Sequence, residues 1–367
     1  MQRIYLDYNA TAPIRPEVVE AVTASMGVTG NPSSVHAEGR GSRKIVEDAR
    51  AYVAALTGVR TAQVIFNGGA TEGNNTILSG YHGAAIIIGS MEHPSVNEAA
   101  PENARRIPAG RSGVLDSGAF ARMLDESAPA LVSIQYVNSE TGVIQPVAEL
   151  AALAKAKGAL VHCDAVQAAG RIDLAFKTLG VDYMTLSAHK FGGPQGVGAL
   201  IFREGLQIPK FMRGGGQEKR QRAGTENVAA IAGFGMAARL AGADIDAYQT
   251  RCKTLQDRLE SGLRAIAPDI IILGEDAPRV ANTTATLLPG IAGETQLMAL
   301  DLEGIAVSSG SACSSGSFKP SHVLGAMGFD DNAARSGLRF STGWATTTAD
   351  IDTALAAFEK MLGRLRK

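Results

Sequence analysis

The sequence predicts an α/β chain of two domains built on a mostly parallel sheet, and three observations carry that expectation. The first is length: 367 residues exceed the size at which one hydrophobic core usually stops growing. The second is rhythm, since short β-rich apolar runs alternate with Ala-rich helical patterns between about residues 15 and 250. The third is a change of pattern near Cys252, where Leu255, Leu259 and Leu263 at i, i+4 and i+8 lead into a strand-like stretch at 270–273. The expected division is a large domain over 15–251 and a smaller α/β domain made of 1–14 and 252–367.

Taken in order, the strand candidates are 64–66, 85–88, 131–137, 160–163, 183–186 and 199–202. Between the third and fourth, AELAALAKAKG places Leu150 and Leu153 on one face, basic residues in its last turn and Gly158 as a stop. That spacing predicts a crossover helix. Near the end of the chain Ile351, Leu355 and Phe358 form one stripe, with Thr347 and Asp350 spaced as a capping box. No internal repeat or low-complexity tail is evident.

Composition narrows the ligand. Lys and Arg number 35 against 36 Asp and Glu, a formal charge of −1, and no basic patch of the kind a nucleic-acid or membrane-surface binder carries is present. A small molecule is the expected partner. The opening MQRIYLDYNATAP is not a basic start followed by an apolar run, and no apolar stretch of about 18 residues follows, so the expected location is cytoplasmic. Cys163, Cys252 and Cys313 are far apart and odd in number, which argues against a disulfide framework and a C-x-x-C metal or redox motif.

Six constellations carry candidate chemistry. FNGGATEGNN at 66–75 runs from a strand into a Gly-rich turn and a helix start, where Gly68, Gly69, Ala70 and Thr71 would point N–H groups at a phosphate; an ordinary βα turn reads the same way. VHCDAVQ puts Asp164 at a strand end with Gln167 three residues on, and Asp164 is there a helix cap, a metal ligand or the partner of a cationic ring nitrogen. His162, Cys163 and Asp164 alternate across a strand and so cannot all face one metal. MTLSAHKFGGPQGVGAL at 184–200 sets Lys190 after apolar residues and before a Gly-rich loop, as suits an imine-forming amine; the S-x-x-K companions S-D-N and K-T-G are absent. VSSGSACSSGSFKP at 307–320 surrounds Cys313 with small polar residues, a setting for an exposed nucleophilic thiol in a movable loop, whereas Cys163 and Cys252 sit in regular patterns. Finally, His93 in SMEHPSV suits ring stacking, proton transfer or the place of a satisfied loop histidine, and Arg339 in GLRFSTG suits a carboxylate or a surface ion pair.

In this order the segments resemble the pyridoxal 5′-phosphate (PLP) dependent cysteine desulfurases of the NifS/IscS type, in the class V aminotransferase group of PLP fold type I. The resemblance spans nearly the whole chain, through YLDYNATAP, GNPSSVHAEGR, NGGATEGNN, EHPSV, VNSETG, HCDAVQ, SAHKFGGPQGVGAL, GGGQEKRQRAGTEN, SSGSACSSG and LRFSTG. It implies a large domain with a mostly parallel seven-stranded sheet and a smaller α/β domain. It further implies that Lys190 attaches PLP, Asp164 pairs with the ring nitrogen, Gln167 bonds the ring oxygen and His93 stacks on the ring. Ala70, Thr71, Ser187 and His189 would hold the phosphate, with Thr225 reaching in from the other subunit of a homodimer. Asn9, Asn138 and Arg339 would orient L-cysteine, and Cys313 would accept its sulfur as a persulfide, leaving L-alanine.

Two departures stand out: RFSTGW, with Thr342 and Trp344, replaces the RFSLGR of many members, and the chain ends at Lys367, short of the tail with which longer relatives dock an iron–sulfur scaffold protein. An aminotransferase or selenocysteine lyase of the same fold is the nearest rival, and Cys313 in its Ser/Gly setting speaks against the aminotransferase. A binding protein that had lost the cofactor is the other, and intact Lys190, Asp164, His93 and Arg339 speak against it.

Overall fold

A computed structural model describes residues 3–309 and 320–366. Cys313 therefore lies outside the described residues. The chain begins with a short strand, β1 (Ile4–Tyr5), and two helices, α1 (Pro16–Met26) and α2 (Ala37–Thr57). Pro16 starts α1, where a missing N–H costs nothing, and Gly58 ends α2 in the left-handed conformation.

The large sheet then forms from β2 (Val64–Asn67), β3 (Ile86–Gly89), β4 (Arg105–Ile107), β5 (Leu131–Gln135), β6 (Leu160–Asp164), β7 (Tyr183–Ser187) and β8 (Gly198–Phe202). Between these strands run α3 (Ala70–Ser79), α4 (Pro94–Asn97), α5 (Ser117–Glu126), α6 (Val147–Ala156) and α7 (Phe176–Leu179). The spatial order is β2-β8-β7-β6-β5-β3-β4. Only β8 opposes its neighbours, and the other pairs are parallel. All six predicted strands are present. The seventh, β4, was not predictable from apolar runs because it is a polar edge strand that reads Arg-Arg-Ile.

Both faces of the sheet are covered. Ile87, Val132, Ile134, Cys163, Met184 and Leu186 pack in a cluster that includes Val46, Val53 and Phe234 from the helices. Ile86, Ile88, Leu131, Tyr183 and Leu200 face the other way, against Ile77, Leu78 and Val96. Double coverage is why these strands read as continuous apolar runs instead of alternating ones. Because β2 runs in the same direction as the parallel set, the segments that follow β2, β3, β5, β6 and β7 all emerge at one edge of the sheet, where open α/β folds bind ligands.

After β8 the chain enters one continuous helix, α8 (Val228–Ile266), of 39 residues. The pattern change near Cys252 is thus a change of packing partner within a helix. Upstream, Gly233 and Gly235 lie so close to Val22, Pro194 and Ala49 that a Cβ would come within 2.5–2.6 Å of them. Downstream, Leu255, Leu259 and Leu263 join a second cluster with Ile4, Leu6, Leu338, Phe340 and Phe358. An 18-residue window of α8 reaches a mean hydropathy of 1.4, contrary to the expectation that no such stretch occurs. Phe234, Ala237 and Ala238 of this helix are buried in the core of the large sheet.

The remaining elements are β9 (Ile271–Ile272), β10 (Thr283–Leu287), α9 (Gly293–Leu302), β11 (Ile305–Ala306), α10 (His322–Ala326), α11 (Asp331–Arg335), β12 (Gly337–Ser341) and α12 (Thr348–Leu365). They form an antiparallel sheet β12-β10-β9, while β11 pairs with β1 in parallel. The predicted capping box of the last helix is present, with Thr347 and Asp350 bonding reciprocally.

Candidate active site

The head of α3 is an anion cradle built by glycine. Gly69 caps the helix at φ 137°, a conformation that disfavours side chains, and Gly198 on β8 approaches so closely that a Cβ there would stand 2.8 Å from Gly69 Cα. The N–H groups of Ala70 and Thr71 belong to the first turn, which has no intrahelical acceptors for them. Ser187, Gly198 and Asn67 are register partners across β7, β8 and β2, which puts buried Ser187 beside this cradle. His189 follows Ser187, and its Nδ1 lies 3.1 Å from Thr11 Oγ1. Burial, reinforced by the Lys190 cation, pushes the His189 pKa down to about 4.

At the end of β6, buried Asp164 accepts hydrogen bonds from Asn74 Nδ2 on Oδ2 (2.8 Å) and from the Val166 N–H on Oδ1 (3.1 Å). Neither donor is charged. Asn74 also donates to Ser95 Oγ at 2.9 Å, and Ser95 in turn contacts His93 Nδ1 through its hydroxyl (2.8 Å) and its N–H (3.1 Å). Since an N–H can only donate, His93 Nδ1 is an acceptor and the neutral ring carries its proton on Nε2. Burial lowers the His93 pKa, Asp164 opposes that shift, and Lys190 and His322 add to it. Asp164, His93 and Lys190 therefore sense one another electrostatically.

Lys190 Nζ donates to the backbone carbonyls of Asn9 and Ala10, each at 2.8 Å. Gln167 Nε2 reaches the same Asn9 carbonyl at 3.0 Å, and Gln167 Oε1 accepts from Arg171. The N-terminal segment is thus a wall of the site. Asn9 and Asn138 have their side-chain amides engaged within the protein: Asn9 bonds Ser139 O, Thr283 Oγ1 and Asn282, and Asn138 Oδ1 accepts from the Glu140 and Thr141 amides. Arg339 Nη2 bonds Asp7 Oδ1 at 2.6 Å and Nη1 bonds Ser139 O at 3.0 Å, while its buried Nε has no partner among the described residues. Thr225 is exposed in the segment before α8, apart from this group of contacts.

The described residues that flank Cys313 are tied to the same place. Ser308 exchanges two backbone bonds with Arg339, at 3.1 and 2.6 Å. On the far side, Ser321 Oγ donates to Glu140 Oε2 at 2.6 Å, and His322 Nε2 lies 2.9 Å from the Glu92 carbonyl, next to His93.

PLP requires an anion cradle, a carboxylate for a basic ring nitrogen and an amine. The α3 head, Asp164 and Lys190 place that donor set along one sheet edge, and among the described residues Asn74 Oδ1 on α3 and Arg339 Nε on β12 are buried without a partner. The residues fit the cofactor. Reading by motif left Asn74, Glu92 and Glu140 without roles. Glu92 is fully buried, its Oε1 accepts the Gln135 N–H at 2.8 Å, and burial holds its carboxyl well above the usual range. Glu140 is likewise raised by burial.

Residues 4–354 match the family model for aminotransferase class-V. The chain is 38% identical to the cysteine desulfurase IscS of Dictyoglomus turgidum, over 100% of this chain and 96% of that one. It is also 38% identical to an IscS-like cysteine desulfurase of Mycobacterium tuberculosis, over 99% and 97%. Among solved structures, a NifS-like protein from Rickettsia africae superposes with a TM-score of 0.93 at 37% identity, covering 99% of this chain and 100% of that one.

Proposed function

The chain belongs to the aminotransferase class-V family, and from that premise we infer that it is a PLP-dependent cysteine desulfurase of PLP fold type I. PLP, when bound, supplies an electron sink for the charge left as the substrate Cα loses its proton. The protein's own groups do the rest. Asp164, held by two neutral donors, offers its charge to the ring nitrogen, and His93 presents a neutral ring with its proton on Nε2. Gln167 is held by Asn9 O and Arg171 for the ring oxygen, and Ser187, His189, Ala70 and Thr71 surround the phosphate position. Lys190 Nζ moves the Cα proton. Arg339 receives the substrate carboxylate through its unpartnered Nε.

Cys313 is the sulfur acceptor. Its thiolate attacks the substrate sulfur, the Cβ–S bond breaks as the S–S bond forms, and the electron pair left at Cβ takes up a proton. The balance is L-cysteine plus a thiol giving L-alanine plus a persulfide. The observation that carries this assignment is that both flanks of the Cys313 segment are tied to the site, Ser308 to Arg339 and Ser321 to Glu140. The persulfide then passes to an acceptor for iron–sulfur cluster or thio-cofactor assembly. A homodimer, with Thr225 contributed across the interface, is supported by the exposure of Thr225 and by exposed Phe211 and Met212 in the same region of the chain. A cytoplasmic location accords with Cys163 and Cys252 being free thiols.

The test is to supply L-cysteine and measure alanine and sulfide together. Cys313→Ala should keep the visible absorbance of bound PLP and lose sulfide release. Undiminished turnover in that variant would remove Cys313 from the mechanism.

A further inference from the structure

We propose that Glu72 and Arg222 form a charge clamp at the head of α3 that sets how tightly the site holds the phosphate of its cofactor. The inference rests on the PLP reading above and concerns two residues that the reading leaves without a role. Glu72 is the third residue of α3. Its side chain turns back so that Oε2 accepts the Gly68 N–H at 2.7 Å, and it stands 2.8 Å from where a Cβ on Gly68 would lie. The Gly68 and Gly69 N–H groups, expected to face a phosphate, are thus taken by Glu72 and Asn67, and an anion already sits beside the Ala70 and Thr71 N–H groups.

An acidic residue in the first turn ordinarily complements the positive end of a helix. At this helix the same positive end must also receive a dianionic phosphate, so an unpaired Glu72 would repel the ligand. Arg222 removes that conflict. Its Nε and Nη2 grip the two carboxylate oxygens at 2.9 and 3.1 Å, in a pair only 24% and 16% exposed. Besides Glu72, the acidic groups that act on Arg222 are Glu218 and Glu226, and the cations Lys219 and Arg220 stand in the same segment. Glu218 is neutralised by Arg50, and Glu226 has a buried Oε2 with no partner among the described residues, so loss of the Arg222 cation leaves the Glu72 carboxylate without the ion pair that balances it. The clamp lets Glu72 order the Gly68 turn without its charge acting on the phosphate.

Three variants and two ligands separate this role from a structural one. Apo protein is titrated with PLP and, as the comparator without phosphate, with pyridoxal; dissociation constants come from equilibrium dialysis, and folding is followed by thermal melts. Arg222→Gln should weaken PLP binding about tenfold, more at low salt than at high, and leave pyridoxal binding unchanged. Glu72→Gln should bind PLP at least as tightly as the wild type. The double variant should recover most of the loss, and the pyridoxal arm excludes misfolding, because a misfolded site would weaken both ligands alike. Unchanged PLP affinity in Arg222→Gln overturns the clamp, and so does a double variant as weak as the single one, which would make Arg222 a direct phosphate ligand or a structural tie. Wild-type protein that takes up no PLP would instead refute the cofactor reading itself.

Discussion

Replacing Arg339 by Lys separates substrate binding from structure at one residue. In the protein the guanidinium holds Ser139 O at 3.0 Å and Asp7 Oδ1 at 2.6 Å, and its Nε is buried without a partner among the described residues. A buried donor left unsatisfied costs about 1–3 kcal/mol, so a substrate carboxylate arriving at Nε gains more than an exchange with water would give. Lysine is a point charge that cannot present a planar fork. Taking about 2–3 kcal/mol for the lost charge-assisted bonds, kcat/KM for L-cysteine should fall roughly 30- to 150-fold. Most of the change should be in KM, because the carboxylate keeps its charge throughout and its contact with Arg339 is held alike in ground and transition states. Stability should fall only modestly, since the substituted lysine keeps a cation near Asp7 and gives up the bond to Ser139 O, worth about 0.5–1.5 kcal/mol. The assay is steady-state alanine formation, with cofactor absorbance and a thermal melt on the same samples. An unchanged KM together with a lowered melting temperature would refute the reasoning, leaving Arg339 as a tie between Asp7 and Ser139.

Breaking the pair of Arg50 with Glu218 should release a segment instead of unfolding the chain. Both side chains are almost wholly buried, at 3% and 2% exposure, and Glu218, Lys219 and Arg220 are held at φ 43°, 55° and 67°. Stranding the Glu218 charge costs about 3–5 kcal/mol. Three left-handed residues store about 3–6 kcal/mol that letting go recovers. In Arg50→Met, trypsin should therefore cut faster after Lys219, Arg220 or Arg222, with a modest loss of melting temperature; equal cleavage rates would contradict this. His162 gives a pH test, because burial lowers its pKa from 6.5 to about 4. Between these values the unfolded histidine takes up a proton that the folded one refuses, so stability drops as pH falls from 6.5 to 4, by about 3 kcal/mol in all. His162→Gln lacks that loss, and urea melts at about pH 7 and about pH 4.5 should show the gap between variant and wild type closing in acid. A gap independent of pH would mean that His162 titrates normally.

The large sheet was legible wherever strands are covered on both faces, since Ile86–Gly89 or Tyr183–Ser187 must be apolar throughout to sit between two helical layers. The edge strand Arg105–Ile107 was not, because two of its three residues are arginines and only Ile107 turns into the core, too little for an apolar run. The unbroken course of α8 was hidden for a related reason. Its first half uses Gly233 and Gly235 to admit Val22, Pro194 and Ala49, and glycines chosen for close approach lower the helix signal that leucines carry further on.

Lys190, Asp164 and His93 were legible because each stands at or just beyond a strand end, on the sheet edge where parallel strands deliver their ends, so position along the chain already implies position in space. What orients them was not legible. Lys190 Nζ and Gln167 Nε2 converge on the carbonyl of Asn9, more than 150 residues earlier, and a backbone acceptor leaves no trace in side-chain identity. Asn9 itself was expected to meet the substrate, yet its amide joins Ser139 O to Thr283 and Asn282. Its side chain thereby fixes its own carbonyl, and that carbonyl fixes the amine. Asn9→Asp should accordingly disturb Lys190 without touching any ligand directly. A carboxylate keeps the acceptor for Asn282 but loses the donor to Ser139 O and faces that carbonyl with a charge, a loss of about 1–3 kcal/mol for the unpaired group. The expected signature is a shifted pH dependence of cofactor absorbance, since that absorbance reports the state of Lys190, with KM for L-cysteine little changed. An altered KM with an unmoved absorbance profile would return Asn9 to the substrate.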